Sequence, residues 1–150
     1  MANRLDAADL RYSTDHLWVS RDGAQFLIGF APYIAHQIGD VQSYTLPDVG
    51  TQIVRGEVVT EIEAAKTLCE VAAPVTGVIV SVNPALRDNP SVIVDHPYET
   101  WILQLADVNA ADLEQLLSQT EYEKYLQSGK VVHPMKRRFA PPEPGPFSPY

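Results

Sequence analysis

The sequence predicts a mainly β domain, a small sandwich or barrel with one short internal helix and C-terminal helices. Three observations predict it. Short apolar runs are punctuated throughout the first hundred positions by Gly and Pro, the pattern of brief strands joined by turns. Helical spacing interrupts them at Ala31, Ile34, Ala35 and Ile38. Beyond Asn109 the apolar residues return at helical spacing, and prolines then take over.

Taken in order, Trp18-Val19-Ser20 and Phe26-Leu27-Ile28-Gly29 read as two strands around the Asp22-Gly23 turn. Pro32 suits a first helical turn and Gly39 a helix exit. Val41–Leu46 reads as a strand that Pro47-Asp48-Val49-Gly50 turns. Glu57–Glu63 and Leu68–Val71 read as a hairpin, and Val78–Val82 as the strand after it. Gly56 and Gly77 are assigned to turns with positive φ. Ala85–Pro90 reads as a loop and Trp101–Leu105 as the last strand.

Asn109 caps a helix with acidic Asp112 in its first turn and Leu113, Leu116 and Leu117 as its apolar face. Thr120 and Glu123 make a capping box for a second helix, with Tyr122, Tyr125 and Leu126 on one side and Gly129 ending it. Residues 134–150 hold six of the twelve prolines, so an extended tail without regular helix or sheet is expected. Met135-Lys136-Arg137-Arg138-Phe139 is a basic-aromatic patch within it, read either as solvated or as a partner-docking segment. The organisation is a lead at 1–10, one domain at 11–130 and a proline-rich tail at 131–150.

A chain of 150 residues, 45% hydrophobic and 20% charged, is long enough to bury a core. No run approaches the roughly 20 apolar residues that span a bilayer, and the start lacks a secretory apolar run. A single cysteine excludes an internal disulfide and fits a reducing, cytoplasmic setting. The net charge of −8 argues against general nucleic-acid binding and suits steering toward basic partners.

Lys66 is the candidate site, between the two hairpin strands in Glu61-Ile62-Glu63-Ala64-Ala65-Lys66-Thr67-Leu68-Cys69-Glu70-Val71. A hairpin tip presents its residue to large partners, and a long amine there suits enzymatic acylation; the alternative is an ordinary exposed lysine. Glu63 and Glu70 flank it, serving solubility or marking the hairpin for a modifying enzyme. Cys69 reads as a small buried hydrophobe, or as a redox partner of nearby thiols. His16, His36, His96, His133 and Cys69 show no metal-ligand spacing. No nucleophile-base pattern or phosphate loop occurs, which points to a non-catalytic chain.

Glu63-Ala64-Ala65-Lys66-Thr67, followed by Ala73-Pro74-Val75-Thr76-Gly77-Val78-Ile79, resembles the modified-lysine hairpin of lipoyl and biotinyl carriers. Biotin carriers flank their lysine with methionines, whereas Ala65 and Thr67 stand here, so lipoyl is favoured. Tyr12–Val19, Ile28–Tyr33, Gly39-Asp40-Val41, Leu46–Gly50, Pro97-Tyr98 and Trp101 follow the order of the glycine cleavage system H-protein family across roughly 11–126.

The resemblance implies a lipoyl/biotinyl-type barrel-sandwich hybrid with lipoate attached covalently to Lys66 as a swinging arm. His16 and Trp18 would lie on an N-terminal edge strand, beside the cleft that shelters the loaded arm or as a half-buried aromatic pair. Implied partners are a lipoate ligase or lipoyl transferase, then glycine decarboxylase, aminomethyltransferase and dihydrolipoamide dehydrogenase, served by a monomeric carrier of an aminomethyl group.

Four departures stand out. Leu17 replaces the family's usual glutamate, and Ala64 its serine. The segment before Trp101 is short, and the tail is long. They resemble a sibling group, the lipoate-binding proteins of heterodisulfide-reductase-like complexes in sulfur-oxidising prokaryotes, whose arm carries sulfur. A biotinyl carrier feeding a carboxylase and an unmodified lipoyl-like module are the remaining readings.

Overall fold

Strands that alternate cleanly between two faces must bury both when both carry large apolar side chains, and the first long hairpin does so. The computed structural model describes residues 10–65 and 67–129, and the backbone of 135–137. Lys66, residues 1–9 of the lead and most of the tail therefore lie outside the described residues. β1 (Arg11–Tyr12), β2 (Leu17–Asp22) and β3 (Gln25–Phe30) open the chain, and α1 (Pro32–Ile38) follows with Pro32 in its first turn. On β2 and β3, Leu17, Val19, Phe26, Ile28 and Phe30 face the main core. The alternate residues Trp18 and Leu27 join Leu10, Tyr12, Ala31 and Tyr122 in a second cluster.

β4 (Val41–Thr45), β5 (Gln52–Ile53), β6 (Val58–Ala64), β7 (Thr67–Ala72), β8 (Gly77–Val82) and β9 (Trp101–Ala106) complete the β region. One sheet of six strands runs β1-β2-β3-β9-β8-β5, and a second places β7-β6-β4 side by side. The two sheets do not close on one another. The main core lies between them, with Ile62, Cys69 and Val71 from β6 and β7 meeting Ile79, Leu103 and Leu105 from β8 and β9. This is the expected mainly β architecture with added helices.

Four sequence expectations are corrected. The segment Ala85–Pro90, expected as a loop, contains a one-turn helix, α2 (Ala85–Asp88), and a second, α3 (Val92–Asp95), follows it. Each seals one side chain, Leu86 or Ile93, into the core, and Asn83 stiffens the entry by accepting from the Ala85 N–H and donating to the Trp101 carbonyl. Four residues are too few for a 3.6-residue period to show in sequence.

The second capping box is Ser118 with Glu121, not Thr120 with Glu123. The Ser118 hydroxyl accepts from the Glu121 N–H at 3.1 Å, and the Glu121 carboxylate accepts from the Ser118 N–H at 2.8 Å. Thr120 and Glu123 fall inside α5 (Gln119–Gln127), two residues later in the same Ser/Thr-x-x-Glu pattern. The Asn109 cap of α4 (Ala110–Glu114) is present, with its side chain accepting from Ala111 and Asp112.

Gly56 takes a positive φ of 91°, but Gly77 does not occupy a turn. It starts β8, where a Cβ would lie 3.1 Å from the Ala106 carbonyl, so close strand approach explains it. Finally, part of the supposedly structureless tail is a strand, β10 (Met135–Arg137), paired antiparallel to β7. No helix among the described residues is long and apolar enough to cross a membrane.

Candidate functional site

β6 and β7 pair from Val58↔Ala72 to Glu63↔Leu68, leaving only Ala64, Ala65, Lys66 and Thr67 beyond the last pair. Thr60, Ile62 and Ala64 point inward from β6, as do Cys69 and Val71 from β7. The alternate positions, Glu61, Glu63 and Glu70, are partly exposed on the outer face. Glu61 and Glu70 stand directly across the ladder from one another, a like-charge pairing that costs stability. The Ser43 hydroxyl donates to the Glu63 carboxylate at 2.9 Å.

Lys66 lies outside the described residues, but its neighbours are given. Ala64 is buried, Ala65 is exposed, and the Ala65 N–H donates to the Asp40 carbonyl at 3.3 Å. The hairpin is thus anchored up to the residue before the lysine.

His16 and Trp18 are fully buried, not half-buried, and β2 is not an edge strand because β1 pairs outside it. His16 holds a left-handed backbone at φ 71°, and its Nδ1 hydrogen-bonds the Tyr122 hydroxyl at 2.8 Å. The Trp18 indole N–H donates to the Pro97 carbonyl at 2.9 Å. Its ring covers Gly29 so closely that a Cβ there would sit 2.2 Å from it. Both residues tie the second cluster together, with α5 packed over it through Tyr122. The sequence reading missed this because the cover comes from a segment about a hundred residues away.

Leu17, at the position where the family resemblance leads one to expect a carboxylate, is sealed in the main core. A cleft of about 240 Å³ opens beside it in sequence, lined by Ser13, Thr14, Asp15, Arg55, Ala73 and Pro74, with Gln115 and Leu116 at its far side. Ala73 and Pro74 follow the C-terminal end of β7, the end away from Lys66 in the strand. Asp15 and Arg55 are charged residues that the sequence reading did not single out. An aspartate within a turn ordinarily reads as a turn former, so only its place in the cleft brings it forward.

Cys69 is buried on the inner face of β7. Burial, aided by the carboxylates of Glu70 and Asp15, pushes its thiol from an ordinary 9.0 up to about 12. That thiol stays protonated and inert near neutrality. Burial likewise raises the Tyr12, Tyr44 and Tyr122 hydroxyls above the ordinary phenol range.

In each case the folded state keeps a proton that the unfolded chain releases. Stability is therefore full below about pH 9 and falls as pH rises through the thiol and phenol range. Urea midpoints taken at about pH 8 and about pH 10.5 should show a clear drop at the higher value; an unchanged midpoint contradicts the burial of these protons.

A family profile described as "Glycine cleavage H-protein" matches residues 10–129. The glycine cleavage system H protein of Listeria monocytogenes serotype 4a (strain HCC23) is 42% identical over 119 residues, covering 79% of this chain and 95% of that protein. The probable glycine cleavage system H protein of Thermococcus gammatolerans is 39% identical over 121 residues, covering 79% and 90%. Among solved structures, the glycine cleavage system H protein of Mycobacterium marinum superposes with a TM-score of 0.69 at 30% identity, over 81% of this chain and 98% of that one. Residues 130–150 lie beyond the matched region.

Proposed function

The chain belongs to the glycine cleavage H-protein family, and from that premise we propose that it is a lipoyl carrier whose Lys66 amine bears the arm and whose cargo is an aminomethyl group. As a member of this family it is a non-catalytic carrier subunit. The observation that carries the reading is the β6–β7 hairpin, paired up to Glu63↔Leu68 with the lysine beyond the last pair, in a domain matched across its whole length.

The tip fits a covalent arm. Exposed Ala65 beside the lysine is small, and a lysine amine at a hairpin bend is the group a modifying enzyme acylates. Lipoate bound there as an amide supplies a dithiol able to take a group at one enzyme and yield it at another. The chain's own part is to hold that attachment point on a stiff support, so that successive encounters become tethered ones.

An aminomethyl group is cationic, and its shelter needs negative charge. Leu17 supplies none and is sealed away. Asp15, in the cleft, and Glu70, on β7, both act electrostatically on Cys69, so they bring two carboxylates to one neighbourhood. These residues take the part of the missing glutamate. Partners of the proposed cycle are a lipoate ligase or lipoyl transferase for attachment, then glycine decarboxylase, aminomethyltransferase and dihydrolipoamide dehydrogenase. The sulfur-carrier reading rested on Leu17 and the other departures; the family match supports the glycine cleavage reading instead.

The test offers the lipoylated protein to glycine decarboxylase with methylene-labelled glycine. Label should become bound to the arm, and Asp15→Asn should shorten the lifetime of the loaded form. No labelled product from wild-type protein would refute the aminomethyl cargo while leaving the lipoyl attachment standing.

A further inference from the structure

The edge of β7 that faces away from β6 is covered by the chain's own tail. β10 pairs antiparallel along it in the register Met135↔Cys69, Lys136↔Leu68 and Arg137↔Thr67. These are the first three residues after Lys66, so the tail covers the lysine-proximal half of the strand. The covering segment lies beyond the region that matches the family. We propose that this tail strand is an intramolecular strap over the lysine hairpin, and that it must leave the β7 edge before a lipoyl-attaching enzyme can close on Lys66. The gating half of this rests on the assignment of Lys66 above; the docking half does not.

Sequence and charge explain why this segment docks here. Pro134 and Pro141 bound a proline-free window of six residues, 135–140, the only stretch after residue 134 long enough to pair in a ladder. Three of the chain's eleven Lys and Arg residues are contiguous at Lys136-Arg137-Arg138. The hairpin they adjoin carries Glu57, Glu61, Glu63 and Glu70, with Glu61 and Glu70 directly opposed.

The same arithmetic makes the strap releasable. Among the described residues it pairs at three positions, and the small net gain of main-chain bonds there works against an ordering entropy of similar size. What holds it is tethering, which keeps the segment at high local concentration, together with salt-sensitive charge. An enzyme that approaches the edge with an extended segment of its own competes for the same main-chain groups.

Amide hydrogen exchange on the unmodified full-length protein reads docking without any arm. Those amides of Thr67–Cys69 that point away from β6 should exchange on the order of tenfold faster in Lys136→Pro than in wild type, while Ile79 and Leu105 stay protected. The double variant Lys136→Glu with Arg137→Glu should act in the same direction without a proline, and added salt should reproduce it in wild type. With lipoate, ATP and a lipoate ligase, the released variants should gain the adduct several-fold faster.

Equal exchange in wild type and variants overturns the strap. So does faster exchange with an unchanged or slower rate of attachment. An adduct on neither form refutes the Lys66 assignment and the gate together, with the exchange data still deciding whether the strand docks.

Discussion

Lys66→Arg is expected to yield a fully folded protein that never gains a lipoyl group and carries nothing. Arginine keeps the positive charge, but its delocalised guanidinium is not a nucleophile near neutrality, so no amide can form. The hairpin's core contacts come from Ile62, Ala64, Cys69 and Val71, none of which is altered. Stability should stay within about 0.5 kcal/mol of wild type, as for surface substitutions generally. Intact mass after incubation with lipoate, ATP and a ligase measures the first effect, and urea unfolding the second. An adduct on the variant would overturn the attachment site. A bare native protein that still serves its enzymes would overturn the carrier function itself.

Trp18→Ala is expected to do the reverse, leaving the attachment chemistry intact while removing much of the stability. Trp18 is fully buried in the second cluster, and Gly29 lacks a side chain where its ring lies. Truncating a buried tryptophan costs about 3–5 kcal/mol, a large share of the 5–15 kcal/mol that holds a domain of this kind together. The Pro97 carbonyl also loses the indole donor, which adds to the loss.

The melting temperature should fall by on the order of 15 °C. Below that transition, ligase-dependent attachment should proceed as in wild type, because the ring is sealed from the surface. If instead stability barely moves and loading by the partner enzymes collapses, Trp18 is a lining of the arm's shelter and its assignment to the packing is wrong. Trp18→Phe, which keeps most of the apolar volume but not the N–H, should fall between the two.

Much of this was written into local sequence. The strands β2, β3, β6 and β7, the Asp22-Gly23 turn, the Pro32 and Gly39 brackets of α1 and the Asn109 cap follow from short-range patterns, and the structure has each of them. The capping box slipped by two residues because Ser118-x-x-Glu121 and Thr120-x-x-Glu123 satisfy the same rule, and only the observed hydrogen bonds select between them. α2 and α3 were illegible because one helical turn has no period. The burial of His16 and Trp18 was underestimated for a different reason: a strand's exposure depends on what lies over it, and α5 lies far along the chain.

By itself, then, the sequence determined the strand pattern, the hairpin and the amine at its bend, since each is set by neighbours within a few positions. Only the tertiary structure decided that Leu17 faces the core, that Asp15 lines a cleft with Arg55 and Pro74, and that a proline-bounded segment lies along the β7 edge. These depend on which distant surfaces meet. Such meetings are fixed by the burial of whole faces and the satisfaction of main-chain groups, neither of which any local pattern records.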